Sequence, residues 1–231
     1  GGALTMTHGN GTLDLPGGAN ITTAASDVGE FVSTAANVVT CVNYTKRDGT
    51  AVVAAAGGAW NLIGTQEASD DASLTQTGLD ATYDTYVIVI SNWLPITVGT
   101  SYLTLRVGDS SGIDSGASDY AFVYGQHGSA SVTVLSMYGD ASAAEIRVTG
   151  TGGGDTGEGI NAMIYLQSPS DGTMLTAVHA QMVMIDANGD TYWGHSAGSR
   201  LSVITHDRVS VLQNTGNIES GRFSVYGIAH A

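Results

Sequence analysis

A short segment that follows a predicted hairpin turn carries the side chains best suited to binding a ligand. Residues 190–195 read Asp-Thr-Tyr-Trp-Gly-His and come directly after Asn188-Gly189. β proteins commonly bind sugars with an aromatic ring against the sugar ring, and with carboxylate, amide or imidazole groups for the hydroxyls. The candidate ligand-binding residues are Tyr192, Trp193, His195 and, from a separate segment, Trp93. The alternative is that the tryptophans pack against a core, and for each taken separately we favour packing.

Acidic residues in two Gly-rich and Ser-rich loops could form a catalytic pair. The candidates are Asp109, Asp114 and Asp119 in one loop and Asp155 and Glu158 in another. Glycosidases use two carboxyl groups about 5 to 9.5 Å apart. Acids in such loops more often accept hydrogen bonds from nearby backbone amides and form turns. The first loop could also hold Ca²⁺, but it lacks the Glu that ends the twelve-residue calcium loop. We therefore predict a turn-forming role and no catalytic residue.

The remaining sequence offers little for metal, cofactor or nucleophile chemistry. Six histidines show no two-His helical spacing, and Cys41 is the only cysteine, so a zinc site is not expected. Neither a Gly-x-Ser-x-Gly elbow nor a Gly-x-x-x-x-Gly-Lys phosphate loop is present. We predict that the chain is not an enzyme and that it binds no metal or cofactor.

Charge and composition exclude several classes of partner. The 231 residues include 21 acidic and 7 basic side chains, which gives a net charge of -14. Such a chain repels nucleic acid and anionic lipid. No apolar stretch approaches the roughly 20 residues of a membrane span, and a secretory signal is not recognisable. Cys41 lies in an apolar stretch, so we predict a buried thiol and folding in a cytoplasm.

Alternating apolar and polar residues predict β-strands along most of the chain. Residues 102–107 and 145–149 alternate and predict strands with one solvated face, whereas residues 86–90 are apolar on both faces, which predicts a strand covered on both sides. Asp48-Gly49, Asp171-Gly172 and Asn188-Gly189 predict hairpin turns. Residues 174–185 could form a helix, but the turns at both ends favour a strand.

Residues 54–58 separate a leader of short strands from a region of longer ones, so we predict modules at 1–57 and 58–231. The predicted leader strands are 3–7, 12–15, 30–34, 38–45 and 51–54. They are too short and too rich in Gly and Ala to enclose much of a core, which predicts that several copies associate.

Two parts of the chain resemble structural proteins of tailed bacteriophages. Residues 13–25, reading LDLPGGANITTAA, and residues 41–51, reading CVNYTKRDGTA, resemble a module near the C-termini of tail fibres and other virion proteins. A further phage structural family is similar at WNLI, LDATYDTY, SGASDYA and GNIESGRFSVYGI, which are residues 60–63, 79–86, 115–121 and 216–228. The resemblance implies a place on a virion, frequent trimeric assembly and a jelly-roll-like or sandwich tip. It implies no catalytic residue.

Together these observations predict an all-β chain, with a short-stranded N-terminal oligomerisation module followed by an antiparallel, jelly-roll-like β-sandwich. The expected function is multivalent attachment to a host-surface glycan by a homotrimeric tail fibre or fibre tip. The virion would be assembled in the host bacterial cytoplasm, and its other proteins would be partners. The alternatives are a capsid decoration or other purely structural virion protein, a polysaccharide depolymerase, and a monomeric cellular carbohydrate-binding module.

Overall fold

The computed structural model describes residues 3–9, 12–16, 19–49 and 59–229, and within this range it describes only the backbone of residues 131–134. The chain divides into two compact units, Gly1–Gly58 and Ala59–Ala231. The predicted module boundary at residues 54–58 and the predicted strand at 51–54 lie outside the described residues. Each unit is described by itself below.

The described part of the first unit contains five strands and a small core. Its strands are β1 (Thr5–Met6), β2 (Leu13–Asp14), β3 (Ile21–Thr22), β4 (Val28–Ala35) and β5 (Val38–Thr45). β1 pairs with β3, while β5 lies between β2 and β4. Leu15, Ile21 and Cys41 form the buried cluster of the described part of this unit, which confirms the predicted burial of the thiol. Three buried side chains make only a small core.

The β4–β5 hairpin leaves much of its surface uncovered. All eight residues of β4 are exposed, including Val28, Phe31 and Val32. β5 pairs with β4 along one edge, and the other edge of β4 has no partner strand among the described residues. Exposed apolar side chains on an unpaired edge strand are typical of a surface that pairs with another chain.

Residues 59–229 of the second unit contain thirteen strands in two antiparallel sheets. In chain order they are β6 (Trp60–Asp71), β7 (Ser73–Thr77), β8 (Thr85–Pro95), β9 (Tyr102–Asp109), β10 (Gly112–Ile113), β11 (Tyr120–Gly128), β12 (Ser131–Ala143), β13 (Ile146–Thr151), β14 (Gly159–Gln167), β15 (Ala177–Ile185), β16 (Thr191–Arg200), β17 (Arg208–Gln213) and β18 (Ile218–Ile228). The eight-stranded sheet has the order β12-β11-β16-β15-β14-β8-β18-β6. The five-stranded sheet has the order β10-β9-β17-β7, with β13 also paired to β9.

One buried apolar cluster joins the two sheets. It includes Ile88 and Ile90 from the large sheet and Leu103, Leu105 and Val211 from the small one. Alternate residues of each strand point to opposite faces, so these side chains form the shared interior while their neighbours face outward. The described residues contain no α-helix. The prediction of an all-β, sandwich-like protein is therefore confirmed.

Two strand predictions can be compared with burial along the strands. Residues 86–90 lie in β8 and are covered on both sides, as predicted; Val87 is buried on the outer face between Tyr165 and Tyr226, which lie opposite it on neighbouring strands. The predicted solvated face of 102–107 is partly wrong, because Thr104 is fully buried. β9 has strands on both sides, and their side chains cover this position.

The predicted turns differ in outcome. β15 and β16 form a hairpin around Asn188-Gly189, and Gly189 has the predicted positive φ of 79°. The strand preferred for residues 174–185 is also confirmed as β15. Asp171-Gly172 lies in a longer connection between the paired β14 and β15, where Ser168 rather than Gly172 takes the positive φ. Asp171 accepts hydrogen bonds from the backbone and hydroxyl of Thr173 in this connection. The second arm of the predicted Asp48-Gly49 hairpin lies outside the described residues.

Candidate functional site

The face of the eight-stranded sheet that points away from the core, here called the outer face, carries two of the predicted ligand-binding residues. Trp193 and His195 lie two residues apart on β16, so they share this face. Trp193 is 51% exposed, and His195 is exposed as well. The predicted turn at Asn188-Gly189 places both side chains near one end of β16, and the core packing that the sequence favoured for Trp193 is wrong.

Five aromatic rings form a continuous row across four strands of the outer face. His127 stacks on Trp193 with ring centroids 5.6 Å apart, and the edge contact from Trp193 to His195 measures 5.4 Å. The row continues from His195 to His179 at 6.1 Å and from His179 to Tyr165 at 6.2 Å. Offset or edge-to-face contacts of this length stabilise each ring against its neighbour. The row is thus a continuous aromatic surface whose rings hold one another in place.

Trp193 separates open depressions of different chemistry. The first, here called the polar depression because it is the more polar of the two, includes Ser91, Asn161, Gln181 and His195 among apolar residues such as Val89, Met163 and Val183. Asn161 Oδ1 accepts a hydrogen bond from the backbone N–H of Asn92 at 3.0 Å, which leaves the amide NH₂ group oriented as a donor. The polar depression can therefore hydrogen-bond a hydroxyl-rich ligand beside an aromatic ring.

On the other side of Trp193 is a depression lined mainly by apolar groups, here called the apolar depression. Its floor includes Gly125 and Ala197, and its walls include Val123, Leu135 and Met137. These three side chains are 47%, 50% and 58% exposed. His179 and His195 complete the wall next to Trp193.

The outer face around the ring row carries no charged side chain. In β8, β11, β12, β14, β15 and β16, the only residues of the Asp, Glu, Lys or Arg type are Asp140 and Arg200. They pair across the sheet with Phe122 and Tyr120, which contact the core, so both belong to the opposite face. The uncharged region ends at β18, where Arg222 lies opposite Ser91 and pairs with Glu67 of β6 at 2.7 Å.

The other two predicted ligand-binding residues lie elsewhere. Trp93 is fully buried in the core cluster, so its ring is not available to a surface ligand, and the packing alternative is correct for it. With the Gln213 amide oriented to satisfy both of its groups, Trp93 Nε1 donates to Gln213 Oε1 at 2.6 Å. Tyr192 alternates with Trp193 and is half-buried, with its ring packed against the core. Neither belongs to the outer face.

Sequence reasoning did not assign His127, His179 or Tyr165 to the site. Each lies on an outward-facing position of its own strand, which the alternation signals. His179 and Gln181 lie two residues apart on β15, so they share a face, and both are exposed. Which strands are neighbours could not be read from the alternation.

The acids considered for catalysis are held by local contacts. Asp109 Oδ1 accepts hydrogen bonds from the backbone and hydroxyl of Ser111, and Glu158 Oε2 accepts one from the backbone of Asp155 at 2.8 Å. The two hydrogen bonds from Ser111 lower the pKa of the Asp109 carboxyl. They are the turn-forming contacts that the sequence favoured.

Asp114 and Asp119 instead share a cluster with Arg200. Arg200 Nε lies 2.8 Å from Asp114 Oδ2, and Arg200 Nη2 lies 3.2 Å from Asp119 Oδ1. His206, which is fully buried, has its Nε2 3.5 Å from the same Asp114 oxygen, and its Nδ1 lies 2.8 Å from the Thr176 hydroxyl. Among the residues that the structure describes, no group of three or more His, Cys, Asp or Glu is arranged to hold a metal ion.

The buried His206 side chain makes the free energy of unfolding depend on pH. Burial lowers the pKa of its imidazole below the usual 6.5, although the neighbouring Asp114 carboxylate opposes this shift. The unfolded chain therefore takes up the proton first, so stability present at pH 7 is lost as the pH falls below 6.5. We expect the free energy of unfolding of His206→Gln to fall less steeply between pH 7 and pH 5. Urea titrations at several pH values measure this, with exposed His179→Gln as the control. Equal slopes in all three proteins would contradict the prediction.

The fold and the outer face together define an all-β, sandwich-like protein with an exposed row of aromatic rings on one sheet. Comparison with protein-family models, curated proteins and solved structures found no match. Across the described ranges, no helix has the length and apolar character needed to cross a membrane.

Proposed function

We propose that the chain is an attachment protein of a tailed-bacteriophage particle, of the tail-fibre or fibre-tip type, and that it binds a host-surface glycan at the outer face around Trp193. The observation that carries the binding part is the row of five rings beside the polar depression. The virion part rests on the sequence resemblance described above. Assembly in the host bacterial cytoplasm and contacts with other virion proteins belong to the same proposal.

The outer face has the features of a site for a neutral glycan. Trp193 supplies an exposed ring, while Asn161 and Gln181 supply amide groups and His195 supplies an imidazole. Sugar hydroxyls both donate and accept hydrogen bonds, and amides and imidazoles can match either role. The site is open and shallow enough to receive part of an extended saccharide, so each copy would bind weakly.

Weak sites become effective when several copies act together. The first unit supports such association through β4, whose eight residues are all exposed and whose second edge is unpaired in the described part of the chain. We propose a homotrimer in which these hairpins pack together. Three linked sites would raise the apparent affinity by roughly 10² or more.

A purely structural virion protein is the second candidate. The exposed apolar side chains Val123, Leu135 and Met137 on an uncharged surface would equally suit a permanent contact with a neighbouring virion protein. The described contacts of the acids considered for a depolymerase do not favour that alternative.

Replacing Trp193 tests the proposed function. We expect Trp193→Ala to bind host cells, or lipopolysaccharide and capsule extracted from them, at least ~10-fold more weakly, because it removes the central aromatic anchor. Surface-immobilised extracts and the oligomeric protein measure this. The matched control is Trp60→Ala, an exposed tryptophan at the β6 edge of the same sheet. Unchanged binding by Trp193→Ala would overturn the glycan site and leave the structural candidate.

Light scattering at several concentrations tests the association. We expect the mass of three chains for the full-length protein. We expect Phe31→Ser combined with Val32→Ser, both exposed on β4, to shift the mass toward one chain while the second unit stays folded. A stable monomer without these changes would overturn the trimer.

A further inference from the structure

The apolar depression beside Trp193 indicates which kind of substituent a bound sugar would carry. Hydroxyl groups need polar partners, and the polar depression already provides them on the other side of the ring. The apolar depression presents only the two imidazoles as polar side chains, because Ser196, which also lines it, is buried and donates its hydroxyl to the backbone oxygen of Arg147. A substituent with one polar and one apolar end fits such a surface best.

We propose that the apolar depression holds the acetamido group of a neutral N-acetylhexosamine; this rests on the proposed glycan-binding function. The methyl group would contact Leu135 and Met137, while the amide would lie toward His179 and His195. The sugar ring would lie against Trp193, which lines both depressions, and its hydroxyls would face Gln181 and Asn161. The Trp193 ring thus lies between the place for the acetamido group and the place for the hydroxyl groups of an N-acetylated sugar.

The small residues on the floor create the space for this group. Gly125 and Ala197 lie between larger side chains, and a Cβ atom at position 125 would come within 2.6 Å of the Met137 sulfur. The end of a Met side chain moves easily, so Gly125→Ala would push Met137 into the depression rather than break the fold. The space therefore depends on glycine at position 125.

The charge distribution around this site favours binding of neutral sugars over acidic ones. The strands that carry the ring row and the two depressions have no Lys or Arg on the outer face; Arg222 of β18, which lies opposite Ser91, is already paired with Glu67 at 2.7 Å, and the chain as a whole carries a net charge of -14. An acidic sugar would lose solvation and meet a repulsive field without an ion-pairing partner. An uncharged acetylated sugar has neither cost.

Matched oligosaccharides test the assignment. Binding of the full-length protein is measured by calorimetry with oligomers of N-acetylglucosamine, glucose and glucuronic acid, and with the N-acetylgalactosamine and galactose pair. We expect the acetylated member of at least one pair to bind roughly 10-fold or more tightly than its hydroxyl counterpart, and the acidic oligomer to bind most weakly. Equal binding within both pairs, or tighter binding of the acidic oligomer, would overturn the acetamido assignment.

Variants separate this inference from the proposed function. Leu135→Ser and Gly125→Ala should remove the preference for the acetylated sugar while binding of the plain hexose persists. Leu62→Ser, which changes an exposed leucine on β6, is the matched control and should keep the preference. Loss of all sugar binding in Trp193→Ala, with no acetyl preference in the unsubstituted protein, overturns only the acetamido assignment. No binding to any oligomer or host extract overturns both.

Discussion

Trp93→Ala is expected to lower the free energy of unfolding by about 3–5 kcal/mol, because it removes a large, fully buried side chain from the core. The cavity would lie where β8 meets β18, since Gly221 approaches the Trp93 backbone too closely for a Cβ atom at 221. Denaturant titrations followed by circular dichroism measure the loss.

The matched variant is Trp193→Ala. Its ring is half exposed and its contacts lie on the surface, so we expect a change in stability within about 0.5 kcal/mol. Binding to host extracts should be weakened by Trp193→Ala but not by Trp93→Ala, since Trp93→Ala keeps the outer face under conditions where it remains folded. Trp93→Phe adds a finer test, because the ring volume is mostly retained while Gln213 Oε1 loses its donor. Similar stability losses in Trp93→Ala and Trp193→Ala would contradict the assignment of one tryptophan to the core and the other to a site.

Arg200→Met is expected to destabilise the second unit by about 3 kcal/mol, because it leaves partly buried carboxylates without their cation. The guanidinium also donates to the backbone oxygen of Asp119 at 2.9 Å, so the loop that contains Asp114 and Asp119 would lose its attachment to the end of β16. Thermal or chemical unfolding measures the effect.

A second substitution tests whether the uncompensated charge is the cause. Asp114→Asn combined with Arg200→Met should be more stable than Arg200→Met alone, because the carboxylate that lost its partner is then neutral. Loss of Arg200 should also raise the pKa of His206, since the nearby guanidinium lowers it in the native protein. NMR titration of the His206 ring reports this shift. A double variant as unstable as the single one would contradict the electrostatic explanation.

Strand content followed directly from the sequence, whereas the exposure of the Trp193 side chain did not, because packing against the core was favoured for both tryptophans. A strand has a period of two, so Asn188-Gly189 and the alternation after it were enough to place Trp193 and His195 on one face. The same reasoning identified β5 with its observed bounds and preferred a strand for β15. These features depend on residues close together in the chain, where backbone preferences act without distant partners.

Which residues meet was decided by the tertiary structure. His127, His179 and Tyr165 join Trp193 only because β11, β15 and β14 lie beside or near β16 in the sheet, and strand order is set by the burial of the whole core rather than by any one segment. The burial of Trp93 and the contact of Asp114 with Arg200 and His206 likewise join residues far apart in the sequence. The sequence by itself therefore determined which face each side chain occupies along its own strand. The fold determined which of those side chains form a common surface, because alternation specifies a direction and not a neighbour.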